Sequence, residues 1–469
     1  MQILPSGHEL AEPSASSLVL APFRGVRYAE DRVSGLAEVT SPPYDVIASE
    51  NEDQLLASDP HNIVRIIRPH DPGGKPAGRP GSAWDEAAAD LQKWLDQAIL
   101  VPDAGPALYV YEQLTPETGG EPGRLQRGLI GAVRLAPREA GVIAPHEAVA
   151  PGPVLGRLRL MEATQANLEP IFLLYDGAGN ADWNSGGETG PGQARADGSA
   201  ATAIVTQVAE SRPPLTEART PDGIRHRLWA VTDPAELARI EADLAPRTAL
   251  IADGHHRYAA YLELQERRRK AGAGAGPWDF GLALLVDSAA YPPQVGAIHR
   301  VIPGLDPQRA VRRAAAAFRV RELPGGTADR PAALTALARA GRAGVAFLVT
   351  GGGRAYLLTD PDPAQLAAAM PEEPAALWRR LPAAVLRELL MARIWECADD
   401  ERTVRAVHDP VTALRAADEM PDTTAVLCAP MSAADVYEVA ALGQIVPRKS
   451  TSFGPKPRTG LVLRTFAEG

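Results

Sequence analysis

Cysteine is nearly absent: the 469 residues hold two, Cys397 and Cys428. They stand far apart and form no CxxC pair, so a disulfide framework and a cysteine-based zinc site are both excluded. Aromatic residues make up only 5% of the chain. No apolar run is long enough to cross a bilayer, and no basic segment followed by an apolar stretch opens the chain. These absences predict a cytoplasmic protein. A positive charge excess is missing too. The formal net charge is -10, which argues against a general nucleic-acid binder but leaves room for a local basic pocket.

Proline and glycine, by contrast, are plentiful, at 43 and 42 residues. They predict many loops between short elements. The length suits two or three domains. Residues 1–17 read as a flexible tail and 18–175 as an N-terminal α/β region. Residues 176–200, rich in Gly, Asp and Asn, read as a loop or linker. A central region spans 201–310 and a C-terminal α/β region 311–469. Within these, Ser49 opens a helix, 61–68 alternates like a strand, and 69–82 is a Gly/Pro-rich loop. Residues 83–98 form an amphipathic helix. Strands are expected at 107–112, 127–135, 170–175, 201–209, 223–231, 280–286 and 296–302, with helices at 157–167, 233–244 and 375–397.

The most informative stretch is Ile251-Ala-Asp-Gly-His-His-Arg-Tyr258. An apolar strand, 248–252, runs into it, and a segment rich in helix formers, 258–270, runs out of it. Gly254 lets the backbone turn sharply or approach a ligand. Free amides at a helix start attract anions, and His255, His256 and Arg257 add donors. Taken singly, Asp253 could be a helix cap, the histidines core residues and Arg257 a surface ion-pair partner. Five such residues in succession at a strand-to-helix turn point instead to a phosphate or carboxylate site.

Other polar groups surround this stretch in the sequence. Tyr44 and Asp45 follow Pro42-Pro43 on a rigid turn, where Asp45 serves either the turn or a ligand. His146 and Glu147 offer an acid/base pair or two metal ligands. His299 and Arg300 lie on an apolar strand and need anionic company or a polar pocket. The loop 447–456 carries Lys449, Ser450, Thr451 and Lys456, a donor-rich set suited to phosphate. It lacks the glycine spacing of a Walker A loop.

The strings Pro22-Phe-Arg24-Gly25, Ser41-Pro-Pro-Tyr-Asp-Val-Ile47, Pro145-His-Glu147, Asp253-Gly-His-His-Arg-Tyr258, His299-Arg300 and Pro447-Arg-Lys-Ser-Thr451 with Phe453 and Lys456 resemble the bacterial and archaeal family of unknown function numbered 1015. The resemblance runs in order from about residue 20 to 465. The string Asp253–Arg257 also resembles the Gly-x-His-Arg loop of the ParB/sulfiredoxin superfamily, which includes a free-serine kinase and nucleotide-switching proteins. That resemblance implies a loop that opens a helix and holds nucleotide phosphates, within a ParB/sulfiredoxin-like core over 201–310. No cysteine lies near the motif, so sulfiredoxin chemistry is not expected. No helix-turn-helix or basic face suggests DNA clamping.

The expected fold is mixed α/β, with interleaved strands and helices. The leading functional expectation is a phosphotransferase or phosphohydrolase acting on a small phosphorylated metabolite or nucleotide, with serine-kinase-like transfer as its sharpest form. Gly254, His256, Arg257, Lys449, Ser450, Thr451 and Lys456 would hold phosphate. Asp45, Glu147, Asp253 and His255 are the candidate catalytic groups. Arg24, Tyr44, His146, His299 and Arg300 would complete the pocket. Magnesium would be held by carboxylates and phosphate oxygens. A second expectation is a non-enzymatic nucleotide or metabolite sensor using the same pocket. A third is a metal-dependent hydrolase with ligands among His146, Glu147, His255 and His256.

Overall fold

The computed structural model describes residues 17–47, 49–69, 82–117, 123–178, 199–372, 376–400 and 402–467. The expected tail, apart from Ser17, lies outside the described residues, as does most of the 69–82 loop and of the 176–200 linker.

The protein is a mixed α/β fold built on two large sheets, with three two-stranded ones beside them among the described residues. The larger has nine strands. Its order runs Ile143–Ala144, Ala249–Asp253, Ile171–Tyr175, Phe280–Asp287, Leu125–Arg134, Leu108–Leu114, Arg225–Val231, Thr216–Arg219, with Leu20–Ala21 also on Leu125–Arg134. Two pairings are parallel, Ala249–Asp253 with Ile143–Ala144 and Phe280–Asp287 with Ile171–Tyr175. The smaller sheet has six antiparallel strands, with Phe347–Gly351, Thr423–Cys428 and His299–Pro303 inside it.

Side chains alternate across the larger sheet with the period of two that a pleated strand imposes. Ile171, Leu173 and Tyr175 pack with Ile204, Val208 and Leu264 on one face. Phe172 and Leu174 face the other way. There they join a single apolar cluster with Leu386, Leu389, Leu390 and Trp395, and with Phe347 and Val426 of the smaller sheet. The opposite face of the smaller sheet is closed by Leu337 and Leu414. The two sheets thus share a core through the helical segment Val385–Trp395.

Several local expectations are corrected here. The strand expected over 201–209 is instead part of the helix Ala200–Ser211. Ser199 caps it by accepting from the Thr202 amide, and Ala201, Ile204, Val205 and Val208 are buried at helical spacing. Residues 61–68 do not form a strand either. Asn62 accepts from the Val64 amide at 2.9 Å and starts the short helix Val64–Ile67. The helix expected at 157–167 instead runs Pro151–Thr164, with proline in its first turn. It ends at Gln165, whose φ is 48°, and the strand Ala166–Asn167 follows. The central region 201–310 contributes to both sheets, Phe280–Asp287 to the larger and His299–Pro303 to the smaller.

The consequence for function is positional. The strand Ala249–Asp253 delivers its last residue to the edge of the larger sheet, and the helix His255–Lys270 departs one residue later.

Candidate functional site

Gly254 makes that reversal in a single residue. Its φ is 93° and its ψ 26°, a left-handed conformation that side chains other than glycine resist. A Cβ here would stand 2.9 Å from Ile171 Cγ2 and 3.1 Å from Arg257 Nε. Among the described residues no side chain caps the helix His255–Lys270. Its first internal bond runs from the Tyr258 amide to the Gly254 carbonyl at 2.9 Å. The amides of His255, His256 and Arg257 therefore precede the helical ladder and remain available at the positive end of the helix dipole.

These residues line a cavity with about 60 Å3 of enclosed room that opens outward. Tyr44, Asp45, Glu147, Lys449, Thr451 and Lys456 line it too. Four stretches far apart in the chain thus meet at one helix end. Three carboxylates (Asp45, Glu147, Asp253) and three cations (Arg257, Lys449, Lys456) face the same space.

The charges are tightly partnered. Lys456 Nζ donates to Asp253 Oδ1 and lies 3.3 Å from Asp45 Oδ2. Arg257 donates to Asp253 Oδ2 at 2.6 Å and to the Pro170 carbonyl at 2.7 Å, while its Nε is buried without a partner among the described residues. Burial would raise the Asp45 carboxyl, but Lys456 and Arg257 outweigh it and hold that carboxyl below the usual range. Glu147 moves the other way. Burial pushes its carboxyl up, and the Lys449 amide and ammonium only partly offset this. Its Oε1 accepts from the Lys449 amide at 2.9 Å. Lys449 itself has a φ of 52° and an exposed side chain with no ion pair among the described residues.

The histidines are fixed as neutral supports. The His146 amide donates to His255 Nε2 at 3.3 Å, and the Ala150 amide to His256 Nε2 at 3.0 Å. Both rings must then carry their proton on Nδ1. His146 donates from Nδ1 to the Ile251 carbonyl at 2.7 Å and accepts on Nε2 from the Thr451 hydroxyl at 3.0 Å. Burial, with neighbouring imidazoles and cations, lowers the His255 ring well below its ordinary value. Burial takes His146 down to about 4. The ligand set expected for a metal hydrolase is therefore not assembled. The ring nitrogens of His146 are both engaged, and Nε2 of His255 and of His256 each accepts an amide. Among the described residues no group of three or more His, Cys, Asp or Glu is placed to hold a metal ion.

Five expected pocket residues stand behind the cavity or away from it. Ser450 is buried and bonds the Pro447 carbonyl. His146 lies behind Thr451, its ring 4.5 Å from that of His255. His299 accepts from the Cys428 amide at 3.3 Å within the smaller sheet. Arg24 donates to the Asp103 carbonyl. Arg300 holds the loop that carries Lys449. It pairs with Asp399 through Nε at 2.8 Å and donates to the carbonyls of Arg448 at 3.0 Å and Lys449 at 2.8 Å. Two contributors escaped the sequence reading. His408 lines the cavity from the smaller sheet's side. Glu169, buried, accepts from the Tyr44 amide at 3.0 Å and sets the Asp45 turn. Neither lies in a motif, and only tertiary folding brings them here.

The sequence profile of a family described as "Protein of unknown function (DUF1015)" matches residues 20–184 and 193–384. No curated protein matches the chain. Solved structures similar to it include a free serine kinase in complex with AMP, at 14% identity and a TM-score of 0.31, covering 66% of this chain and 83% of that one. Another is SbnI with a C-terminal truncation from Staphylococcus aureus, at 10% identity and a TM-score of 0.32, covering 68% and 82%. A conserved hypothetical protein from Pyrococcus furiosus gives 12% identity and a TM-score of 0.30, covering 66% and 87%.

Proposed function

This chain belongs to the DUF1015 family, and for this member of it we propose that the cavity binds the phosphate of a small phosphorylated metabolite or nucleotide and transfers or hydrolyses that group. One observation carries the reading: an uncapped helix terminus behind Gly254 faces an enclosure that Lys449 and Lys456 also enter. A helix end alone favours an anion by only about 0.3–2 kcal/mol. The two ammonium groups supply the rest. The enclosed 60 Å3 suits a phosphate group rather than a whole nucleotide.

The carboxylates divide by environment. Asp45 and Asp253 are spoken for by Lys456 and Arg257. Glu147 has the raised carboxyl, and an acid or base serves best when its pKa moves toward the working pH. Glu147 is therefore the group to take or return a hydroxyl proton. The three cations only balance the three carboxylates, so a phosphate dianion arrives best with added positive charge. Asp45 and Asp253 would hold magnesium once Lys456 turned to the phosphate, and the ion would supply charge neutralisation. Serine-kinase-like transfer is the specific form of this proposal.

The sensor reading keeps one observation of its own. Lys456 bridges both aspartates, so phosphate binding can act by releasing that bridge. Turnover separates the two. The test is a thermal-shift screen of nucleotides, phosphoserine and other phosphometabolites with and without magnesium, on wild type and Lys449→Ala, followed by chromatography of the ligand. A shift lost in Lys449→Ala, with ligand consumed, is expected. Binding without consumption selects the sensor, and no shift with any phosphorylated ligand overturns the phosphate reading.

A further inference from the structure

Beside the phosphate enclosure lies a second, broadly open cavity with about 450 Å3 of room, and the two share Tyr44 and Asp45. Its volume falls in the range of small-molecule sites, roughly 300–1,000 Å3. Planar groups line it. Trp84 stands in the first turn of the helix Ala83–Asp96, which the Ser82–Asp85 capping box fixes. The Arg157 guanidinium lies 4.0 Å from the centre of the Tyr44 ring.

The cations here are already neutralised. Arg68 pairs with Glu52 at 3.0 Å and Arg157 with Glu169 at 3.4 Å. The lining therefore offers planar groups, Tyr44 stacked with Arg157 and Trp84 with Arg159 at 5.4 Å on one side, rather than net positive charge, which suits a heterocycle and not a second phosphate. Gly156 points the same way. It sits inside the helix Pro151–Thr164 and lines the cavity, yet an added Cβ would meet nothing within 4 Å. Glycine is a poor helix residue, and among the described residues no packing neighbour requires it there. The space it leaves belongs to the cavity.

We infer that this second cavity takes the base of a nucleoside phosphate whose phosphates sit at the Gly254 turn, the two parts meeting at the shared Tyr44–Asp45 turn. The inference rests on the phosphate reading above and names its substrate class. Stacking on an aromatic ring tolerates any base, so the cavity selects nucleotides as a class.

Calorimetry on the full chain tests it, with pyrophosphate, ADP, GDP, CDP and UDP as probes. At least one diphosphate nucleoside is expected to bind about tenfold or more tighter than pyrophosphate, a typical stacking gain. Gly156→Leu fills the cavity on a better helix former. It is expected to melt no lower than wild type, to keep pyrophosphate affinity, and to lose the nucleoside advantage. Trp84→Leu is the second variant, expected to lose the same advantage. Nucleosides that bind no better than pyrophosphate, or an advantage that survives Gly156→Leu, overturn the inference while leaving the phosphate reading intact. If pyrophosphate and the nucleotides all fail to bind, this inference falls, and the phosphate reading falls with it only when phosphoserine and the other phosphometabolites give no thermal shift either.

Discussion

Replacing Arg257 by alanine should damage the fold before it damages binding. The guanidinium is buried, 4% exposed, and its charge is answered by Asp253 at 2.6 Å and by the Pro170 carbonyl. Glu169 and Asp45 feel it as well. Removing one partner of a buried pair typically costs about 3–5 kcal/mol, because the other charge stays behind. Asp253 would keep Lys456, so the lower end, about 3 kcal/mol, is expected. Lys449→Ala should behave oppositely. Its side chain is exposed and makes no ion pair among the described residues, so stability should move by no more than about 0.5 kcal/mol while ligand affinity falls. Urea unfolding followed by tryptophan fluorescence reads the first quantity, and calorimetry with a phosphorylated ligand reads the second. An Arg257→Ala protein within about 1 kcal/mol of wild type would refute the reasoning.

Acid should destabilise the protein from about pH 6.5 downward, through its buried histidines. Burial lowers His146, His226 and His299 from 6.5 to about 4, and lowers His255 as well. The unfolded chain accepts protons that the native rings refuse, so stability falls as pH drops below about 6.5 and levels near 4 for the first three. Each of these costs about 3 kcal/mol across that window, and a circular-dichroism titration that stays flat to pH 4 would contradict this. Gly254→Ala forces a side chain into a φ of 93° with Ile171 2.9 Å away. It should cost about 1–3 kcal/mol by urea unfolding and weaken phosphate binding, and a stability equal to wild type would be inconsistent with the strain argument. Arg300→Lys keeps the charge but loses the planar fork that holds both Asp399 oxygens and the carbonyls of Ile298, Arg448 and Lys449, five bonds against an ammonium's three donors. Limited proteolysis should cut the 447–456 loop faster and ligand affinity should fall about tenfold, roughly 1.4 kcal/mol. Unchanged cleavage would remove Arg300 from its anchoring role.

What the sequence reveals about this protein follows from how local each signal is. The Gly254 turn is legible because strand, glycine and helix lie within a few residues and each obeys its own backbone rule. The helix Ala200–Ser211 is misread because its threonines and valines favour strands by composition. Its burial instead follows a 3.6-residue period, and period outranks propensity when one face packs on a core. The short helix Val64–Ile67 escapes because the Asn62 side chain starts it, not an apolar pattern. The site divides in the same way. Asp45, Glu147, Lys449 and Lys456 carry chemistry that is readable in place, although their meeting is a tertiary fact. His146, Arg300 and Ser450 read as pocket donors, and the structure uses them to hold the pocket's walls. His408 and Glu169 carry no local mark of their place at all.

The central claim is that the amides opening the helix His255–Lys270 receive a phosphate. The chain has nine histidines, two of them at that terminus, so protein labelled with 15N-histidine gives a short set of amide signals. Titrating in pyrophosphate should move the His255 and His256 signals while those of His226 and His299 hold still, and Lys449→Ala should suppress the change. If pyrophosphate binds and the His255 and His256 amides do not move, the anion sits elsewhere and the account is wrong.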